Sequence, residues 1–255
     1  MKHTNINKQK NFMKYRMFLA AWLTATAGIS GNSTWLKLAE AEVKNDKTVV
    51  QKPNREDQAM HLDHEHAFID PVKSAKKWND PERDKWQRPE EIVEALAVRQ
   101  ATTVADIGAG TGYMVAHLSK AVGKGGTVIA IDTSAAMVGY LKERVDELGP
   151  ARIVPRKVGP DAPEFHAASL DAVLTLDTWH HVKGREAYAR KVYDGLKRGG
   201  RFVVVDYEIN AETGPPKEMR IAPARVVEQL EAGGFRAEVV RESMPRHYMV
   251  VGHKD

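Results

Sequence analysis

One short segment constrains this chain more than any other: Val104-Ala105-Asp106-Ile107-Gly108-Ala109-Gly110-Thr111-Gly112. Thr103 to Ile107 is apolar and β-branched enough to read as a short buried strand, and Val115 to Val122 reads as a helix. The turn between them is mostly glycine. Glycine lets a backbone reverse tightly and lets a ligand approach it closely. A strand that runs through such a turn into a helix is the opening unit of a parallel α/β sheet, and it leaves a helix N-terminus facing whatever lies beyond the strand.

The rest of the chain repeats that alternation. Pro89-Glu90-Glu91 opens a helix, because proline suits the first turn and acids complement the N-terminal dipole; Ile92, Val93, Leu96 and Ala97 share its apolar face. Strands are expected at 127–131, 152–158, 170–176, 201–205, 237–241 and 248–251, and helices at 135–148, 186–196 and 223–232. Strands alternating with helices imply a doubly wound, seven-stranded, mostly parallel sheet, which binds ligands beyond the carboxyl ends of its strands where strand order reverses.

The glycine spacing discriminates between ligands. A dinucleotide site places its third glycine three residues after the second, so that a pyrophosphate rests on the helix. Here the spacing is G-x-G-x-G, with Asp106 two residues before the first glycine. S-adenosyl-L-methionine carries no phosphate but has a sulfonium and a zwitterionic amino-acid end, and Asp106 suits its ammonium group. Gly108, Ala109, Gly110 and Gly112 form the bend against which that end would lie. Asp132 ends the next strand, where a carboxylate can take both ribose hydroxyl protons; capping the following helix is its other reading, a task Thr133 or Ser134 can also do, and Thr133 beside it is a further cofactor-binding candidate. Met137 is a candidate for the adenine face or a core side chain. Asp161, in Gly159-Pro160-Asp161-Ala162-Pro163, is a candidate for the adenine amino group or part of a plain turn.

VADIGAGTG, the acid in VIAIDTS, LDAVLTLDTWHHV, LKRGGRFVVVD and EAGGF occur in an order and spacing that resemble class I S-adenosylmethionine-dependent methyltransferases of the broad ubiquinone/menaquinone-methylase-like, type 11/25-like group. The resemblance covers about Arg88 to Val251 and implies a Rossmann-like methyltransferase fold. It makes Asp106, Gly108, Gly110 and Asp132 cofactor-binding residues and puts Asp177 by the methyl group. DPERDKWQRPEE, DTWHH and RHYMVV further resemble a bacterial subset that often carries an export signal. Arg198 departs from the pattern, standing where the group usually has proline before Gly199-Gly200.

Methyl transfer from a sulfonium is an in-line displacement, in which alignment and desolvation do much of the work. A base is needed only where the acceptor loses a proton. Asp177, His180 and His181 are the catalytic candidates. Either histidine can take a proton near neutral pH or simply hold the loop, and at most one is expected to be catalytic. Trp179 can wall an acceptor or pack in the core; Asp206 and Tyr207 are further pocket candidates. The chain has no cysteine, which excludes thiolate nucleophiles, disulfides and thiol metal sites. It also lacks the Asp/Asn-Pro-Pro-aromatic tetrapeptide associated with amino-group methylation of adenine or glutamine. The expected acceptor is a small molecule. An NAD(P)-dependent oxidoreductase and a non-catalytic binder of S-adenosylmethionine or another metabolite are the competing readings.

Charge divides the chain. Residues 1–41 carry six basic residues against Glu40, so the net +4 of the whole sequence resides in the leader and the remainder is at −1. The globular part has no basic surplus for phosphates, so nucleic acid is not an expected partner. Lys14-Tyr15-Arg16 followed by an uncharged run from Met17 to Leu36 reads as a signal peptide over residues 1–41 or, left uncleaved, as a membrane anchor; either places the domain outside the cytoplasm. If the leader is no such signal, the chain is cytoplasmic. Residues 42–87 read as a linker and an extension whose Trp78 and Trp86 cover part of the domain, and 88–255 as the domain itself. Within the linker, His61, His64 and His66 with Asp63 and Glu65 form a His-rich tract, read as a solvated segment or a transition-metal site.

Overall fold

The computed structural model describes residues 70–255. The leader and the His-rich tract lie outside the described residues. No described helix is long and apolar enough to cross a membrane.

The described chain begins with an extension of short elements. Helix α1 (Pro71–Trp78) starts where the Asp70 side chain accepts the Lys73 N–H at 2.9 Å and proline takes the first helical position. Asp80-Pro81 repeats the device at a 3-10 turn, Pro81–Arg83, which leads into α2 (Asp84–Gln87). Helix α3 (Pro89–Leu96) follows with Glu90 and Glu91 in its first turn. Ile92 and Leu96 are fully buried as expected, each such burial contributing about 1.5–3 kcal/mol. Ala97 differs from expectation: it ends the helix in the left-handed region, φ 49°, and is exposed.

The seven strands are β1 (Thr103–Ile107), β2 (Thr127–Asp132), β3 (Arg152–Lys157), β4 (Leu170–Leu176), β5 (Leu196–Tyr207), β6 (Arg236–Val240) and β7 (His247–His253). They form one sheet in the order β3-β2-β1-β4-β5-β7-β6, parallel except for β7, which runs antiparallel to both β5 and β6. Central β4 is apolar on both faces, as a strand covered on both sides must be. Pro155, which cannot donate to a ladder, sits on edge strand β3.

Alternate residues of each strand face opposite layers. Val104, Val128, Leu174 and Val203 pack with α3, α4 (Tyr113–Val122) and α5 (Ala135–Lys142). Ala105, Ile131, Val173 and Val204 pack with α6 (Arg185–Gly195) and α7 (Pro223–Ala232), around the buried Trp179 and Phe202.

Two elements depart from the sequence reading. Helix α5 stops at Lys142 rather than Leu148, giving way to three-residue turns, Arg144 N–H to Leu141 O and Glu147 N–H to Arg144 O. Beyond Leu141 the segment Lys142-Glu143-Arg144-Val145-Asp146-Glu147 is mostly charged and supplies no fully buried side chain to hold further helix. Strand β5 begins earlier, at Leu196. Its pairing jumps from Leu170–Leu196 to Ala172–Arg201, so Lys197–Gly200 bulge from the ladder. Arg198 sits in that bulge, at the end of β4 opposite Asp177.

The order places β1 and β4 side by side while their connections leave in opposite directions. Their carboxyl ends therefore flank the crevice where a doubly wound sheet binds ligands. The glycine-rich turn follows β1 and the Asp177–His181 loop follows β4.

Candidate functional site

The turn after β1 is built from Gly108 (φ 74°), Gly110 (φ 52°) and Gly112 (φ 91°), all in the left-handed region. A Cβ on Gly108 would lie 2.2 Å from Thr178 Oγ1, so only glycine lets the two loops meet. The turn keeps its backbone donors for the protein: Gly108 and Ala109 N–H both go to Ile131 O, Gly110 N–H to Asp132 Oδ2 at 2.9 Å, and Gly112 N–H to Ala109 O. A cradle for pyrophosphate needs such groups free. What this turn offers a ligand is close backbone approach between two carboxylates.

Those carboxylates are Asp106 and Asp132. Asp106 is 3% exposed, and among the described residues its carboxylate has no hydrogen-bond partner. Burial, then the charge of Asp132, push its pKa up to about 7, with Arg83 opposing. Asp132 also lies above the usual carboxylate range through burial, although N–H groups of Ser134, Gly110 and Thr133 oppose the shift. Its Oδ1 accepts Ser134 N–H at 2.8 Å. Ser134, not Asp132, caps α5 by accepting Met137 N–H.

The other cofactor candidates are placed unevenly. Ala109 is buried within the turn and Thr133 is exposed beside Asp132. Met137 is 1% exposed, packed in the first turn of α5. Asp161 is exposed, and the structure engages its backbone oxygen, with Lys191 Nζ at 2.6 Å, rather than its carboxylate.

Beyond β4 the catalytic candidates separate. Asp206, at the end of β5, accepts both the His180 backbone N–H at 3.0 Å and the ring Nδ1 at 2.8 Å. A carboxylate at Nδ1 selects the tautomer with hydrogen there, leaving the lone pair on Nε2. His181 is exposed and its ring lies 4.2 Å from that of His180, centroid to centroid. Both oxygens of Asp177 are engaged: Oδ1 with His247 Nε2 at 2.7 Å, Oδ2 with the Arg83 guanidinium at 3.0 Å. Burial raises the Asp177 pKa, but the His247 bond and the charges of His247, Arg83 and His180 outweigh it and bring it below the ordinary value. That carboxylate holds its neighbours and is a poor proton acceptor. Trp179 is buried in the core, its indole N–H donated to Gln229.

Trp78 belongs to the extension expected to cover the domain, whereas sequence reasoning does not single out Asn79, Arg83 or His247. The Trp78 ring lies 3.5 Å from where a Gly110 Cβ would stand, and Asn79 makes two hydrogen bonds to Thr111. The Arg83 guanidinium rests 4.1 Å from the centroid of the Tyr113 ring. His247, whose side chain is fully buried, lies between Trp86 and Tyr207. Burial, then the Asp177 charge, push Tyr207 up to about 12, so it stays a phenol. Arg83 and His247 fall in the DPERDKW and RHYMVV segments marked by the family resemblance; their residue types alone carried no signal.

Comparison with known proteins agrees with this geometry. A family model described as a methyltransferase domain matches residues 104–200, from β1 into the β5 bulge. Over 116 residues the chain is 28% identical to the ubiquinone/menaquinone biosynthesis C-methyltransferase of Citrobacter koseri, covering 45% of this chain and 46% of that protein. The corresponding protein of Klebsiella pneumoniae matches to the same extent. The chain thus spans about half the length of these curated relatives. Among solved structures, a SAM-dependent methyltransferase from Aquifex aeolicus superposes with a TM-score of 0.65 at 28% identity, over 72% of this chain and 97% of that one. A phosphoethanolamine N-methyltransferase from Haemonchus contortus bound to S-adenosyl-L-methionine, TM-score 0.52 at 16% identity over 66% of this chain and 52% of that one, shares the fold.

Proposed function

We propose that this chain, a class I S-adenosylmethionine-dependent methyltransferase, methylates a small molecule held at the carboxyl end of β4, with His180 removing the acceptor's proton. The observation that carries the reading is Asp106: a buried carboxylate with no hydrogen-bond partner among the described residues, pushed up to about 7 by burial and then by the charge of Asp132. Two such carboxylates flanking a glycine bend favour a cation between them, and the ammonium of an amino-acid tail supplies one.

Bound S-adenosylmethionine supplies an electrophilic methyl on a cationic sulfur that leaves as a neutral thioether. The chain's own residues do the rest. Asp106 takes the ammonium. Each oxygen of Asp132 already accepts one backbone N–H and keeps capacity for a ribose hydroxyl. Thr178 fills the space over Gly108 and fixes the distance between the cofactor turn and the β4 loop. His180 Nε2 receives the acceptor proton, and the Asp206 carboxylate at Nδ1 stabilises the imidazolium that results. The acceptor thus loses a proton, gains a methyl, and is a hydroxyl or an activated carbon. The names of the curated relatives point the same way, since a C-methyltransferase must remove a proton from carbon. The −1 balance outside the leader speaks against a polyphosphate acceptor.

The test is transfer of labelled methyl from S-adenosylmethionine to a panel of phenols, quinols and activated-carbon acceptors. Label in at least one of these, lost in His180→Gln, supports the reading. Label that survives His180→Gln undiminished removes the base, and label in a nucleic acid instead removes the acceptor class.

A further inference from the structure

Resting on that functional reading, we infer that Arg83 is a positioning residue: it latches the segment 70–87 over the cofactor turn and, through Asp177, sets the loop that carries His180.

Arg83 joins three parts of the molecule. Within the extension, its Nε and one terminal nitrogen reach Gln87 Oε1 at 3.2 and 2.9 Å, and the other terminal nitrogen reaches Trp78 O at 3.1 Å. Across the crevice it reaches Asp177 Oδ2 at 3.0 Å, 94 residues away in sequence. Its plane also covers the Tyr113 ring at the start of α4, immediately behind the glycine turn. Only a planar fork with several N–H donors can hold these partners at once.

Asp177 needs such a hold. It is a non-glycine residue at φ 54°, a backbone conformation that persists only where the surroundings enforce it. Arg83 grips one oxygen and the buried His247 the other. The residue after Asp177 is Thr178, packed on Gly108, and His180 lies two residues further on. Displacing Asp177 therefore displaces the contact with the cofactor turn and the histidine together.

The extension contributes little fully buried apolar surface, and many of its ties are polar. Helix α1 buries no residue and α2 buries only Gln87. Besides Arg83–Asp177, its ties include the Asn79–Thr111 pair, the Tyr113 hydroxyl to Asp84 at 2.8 Å, His117 Nε2 to Asp84 at 3.3 Å, Gln87 to Met244 sulfur at 3.5 Å, and the Trp86 ring stacked on His247. An element with so little buried apolar surface opens at low free-energy cost. Since Trp78 lies over Gly110, a ligand seated on the turn lies beneath this strap, and its release requires the strap to lift.

The experiment uses the full chain with Arg83→Met, Arg83→Lys, Asp177→Asn and the double variant Arg83→Met/Asp177→Asn. The readouts are S-adenosylmethionine release by stopped-flow tryptophan fluorescence, trypsin cleavage at the exposed Lys76, Lys77 and Lys85, and kcat and KM for the acceptor at saturating cofactor. In the parent, cofactor slows cleavage of the strap. Arg83→Met releases cofactor about tenfold faster and lowers kcat by a similar factor with acceptor KM little changed, as expected for a group that positions rather than binds. Arg83→Lys, which keeps the charge and the contact with Tyr113, folds like the parent and falls between the two. The double variant is no worse than the more impaired single variant, because both substitutions break one link. Parental release rates and kcat in both Arg83 variants, or losses that multiply in the double variant, overturn the latch. A parent chain that itself fails to bind S-adenosylmethionine overturns the functional reading instead, and is recognised because the parent is then silent.

Discussion

Asp206 grips His180 at two points, the ring Nδ1 at 2.8 Å and the backbone N–H at 3.0 Å, although 26 residues separate them in sequence. The ring can neither turn over nor take the other tautomer without losing a buried charge-assisted bond. Asp206→Asn is therefore expected to lower kcat by about 10²–10⁴-fold while leaving S-adenosylmethionine affinity within about twofold. His180→Gln should do the same, and the two together no worse than His180→Gln alone. His181→Gln, at an exposed position, should cost far less. Steady-state kinetics with calorimetric cofactor binding checks all four variants.

Asp106 is expected to make cofactor binding depend on pH. Its pKa is raised by burial first and by Asp132 second, to about 7, and an ammonium bound to it would favour the ionised form. The dissociation constant should fall by roughly tenfold per unit as pH rises from about 5 to about 7, then level off. Stability of the free chain runs oppositely. The folded state holds this proton more tightly than the unfolded one, so the contribution is fully present below the ordinary value of 3.8 and is lost as pH rises through about 7. Thermal melts with and without cofactor at pH 5, 6, 7 and 8 measure both trends, and Asp106→Asn should flatten them.

Asp132 is expected to read the ribose. The parent should bind S-adenosylmethionine at least about tenfold more tightly than an analogue lacking the ribose hydroxyls, because a hydrogen bond to a charged acceptor contributes on the order of 1.5–3 kcal/mol. Asp132→Ala should bind the two equally. A parent that fails to discriminate would assign Asp132 to holding Gly110 and Ser134 alone.

Two glycines make a matched test of the cofactor turn. Gly108→Ala places a methyl 2.2 Å from Thr178 Oγ1 at φ 74° and should destabilise the fold by about 2 kcal/mol or more, weakening cofactor binding with it. Gly139→Ala, inside α5 with nothing within 4 Å of the added carbon, should stabilise by about 0.5–1 kcal/mol and leave binding unchanged. Thermal denaturation of the two proteins side by side reads the contrast.

Local pattern made much of the fold legible. The strand β1, the glycine turn and the acid ending β2 announce themselves because each depends on residues adjacent in sequence. The end of helix α5 at Lys142 is not legible in the sequence, because spacing alone does not reveal whether a neighbour exists to bury Val145 and Leu148. The early start of β5 is hidden because the Lys197–Gly200 bulge reads as a turn. The candidate site's histidines and carboxylates are visible singly in the sequence, but their pairing is not. Which of His180 and His181 meets Asp206, and that Asp177 is taken up by Arg83 and His247, depend on side chains brought together from 26, 94 and 70 residues apart.

The most direct measurement is calorimetric titration of the full chain with S-adenosylmethionine at pH 8, beside the double variant Asp106→Ala/Asp132→Ala. Saturable binding by the parent, abolished in a double variant that still folds, is the expected result. A parent that takes up no S-adenosylmethionine, or a folded double variant that binds it as tightly as the parent, contradicts the central claim.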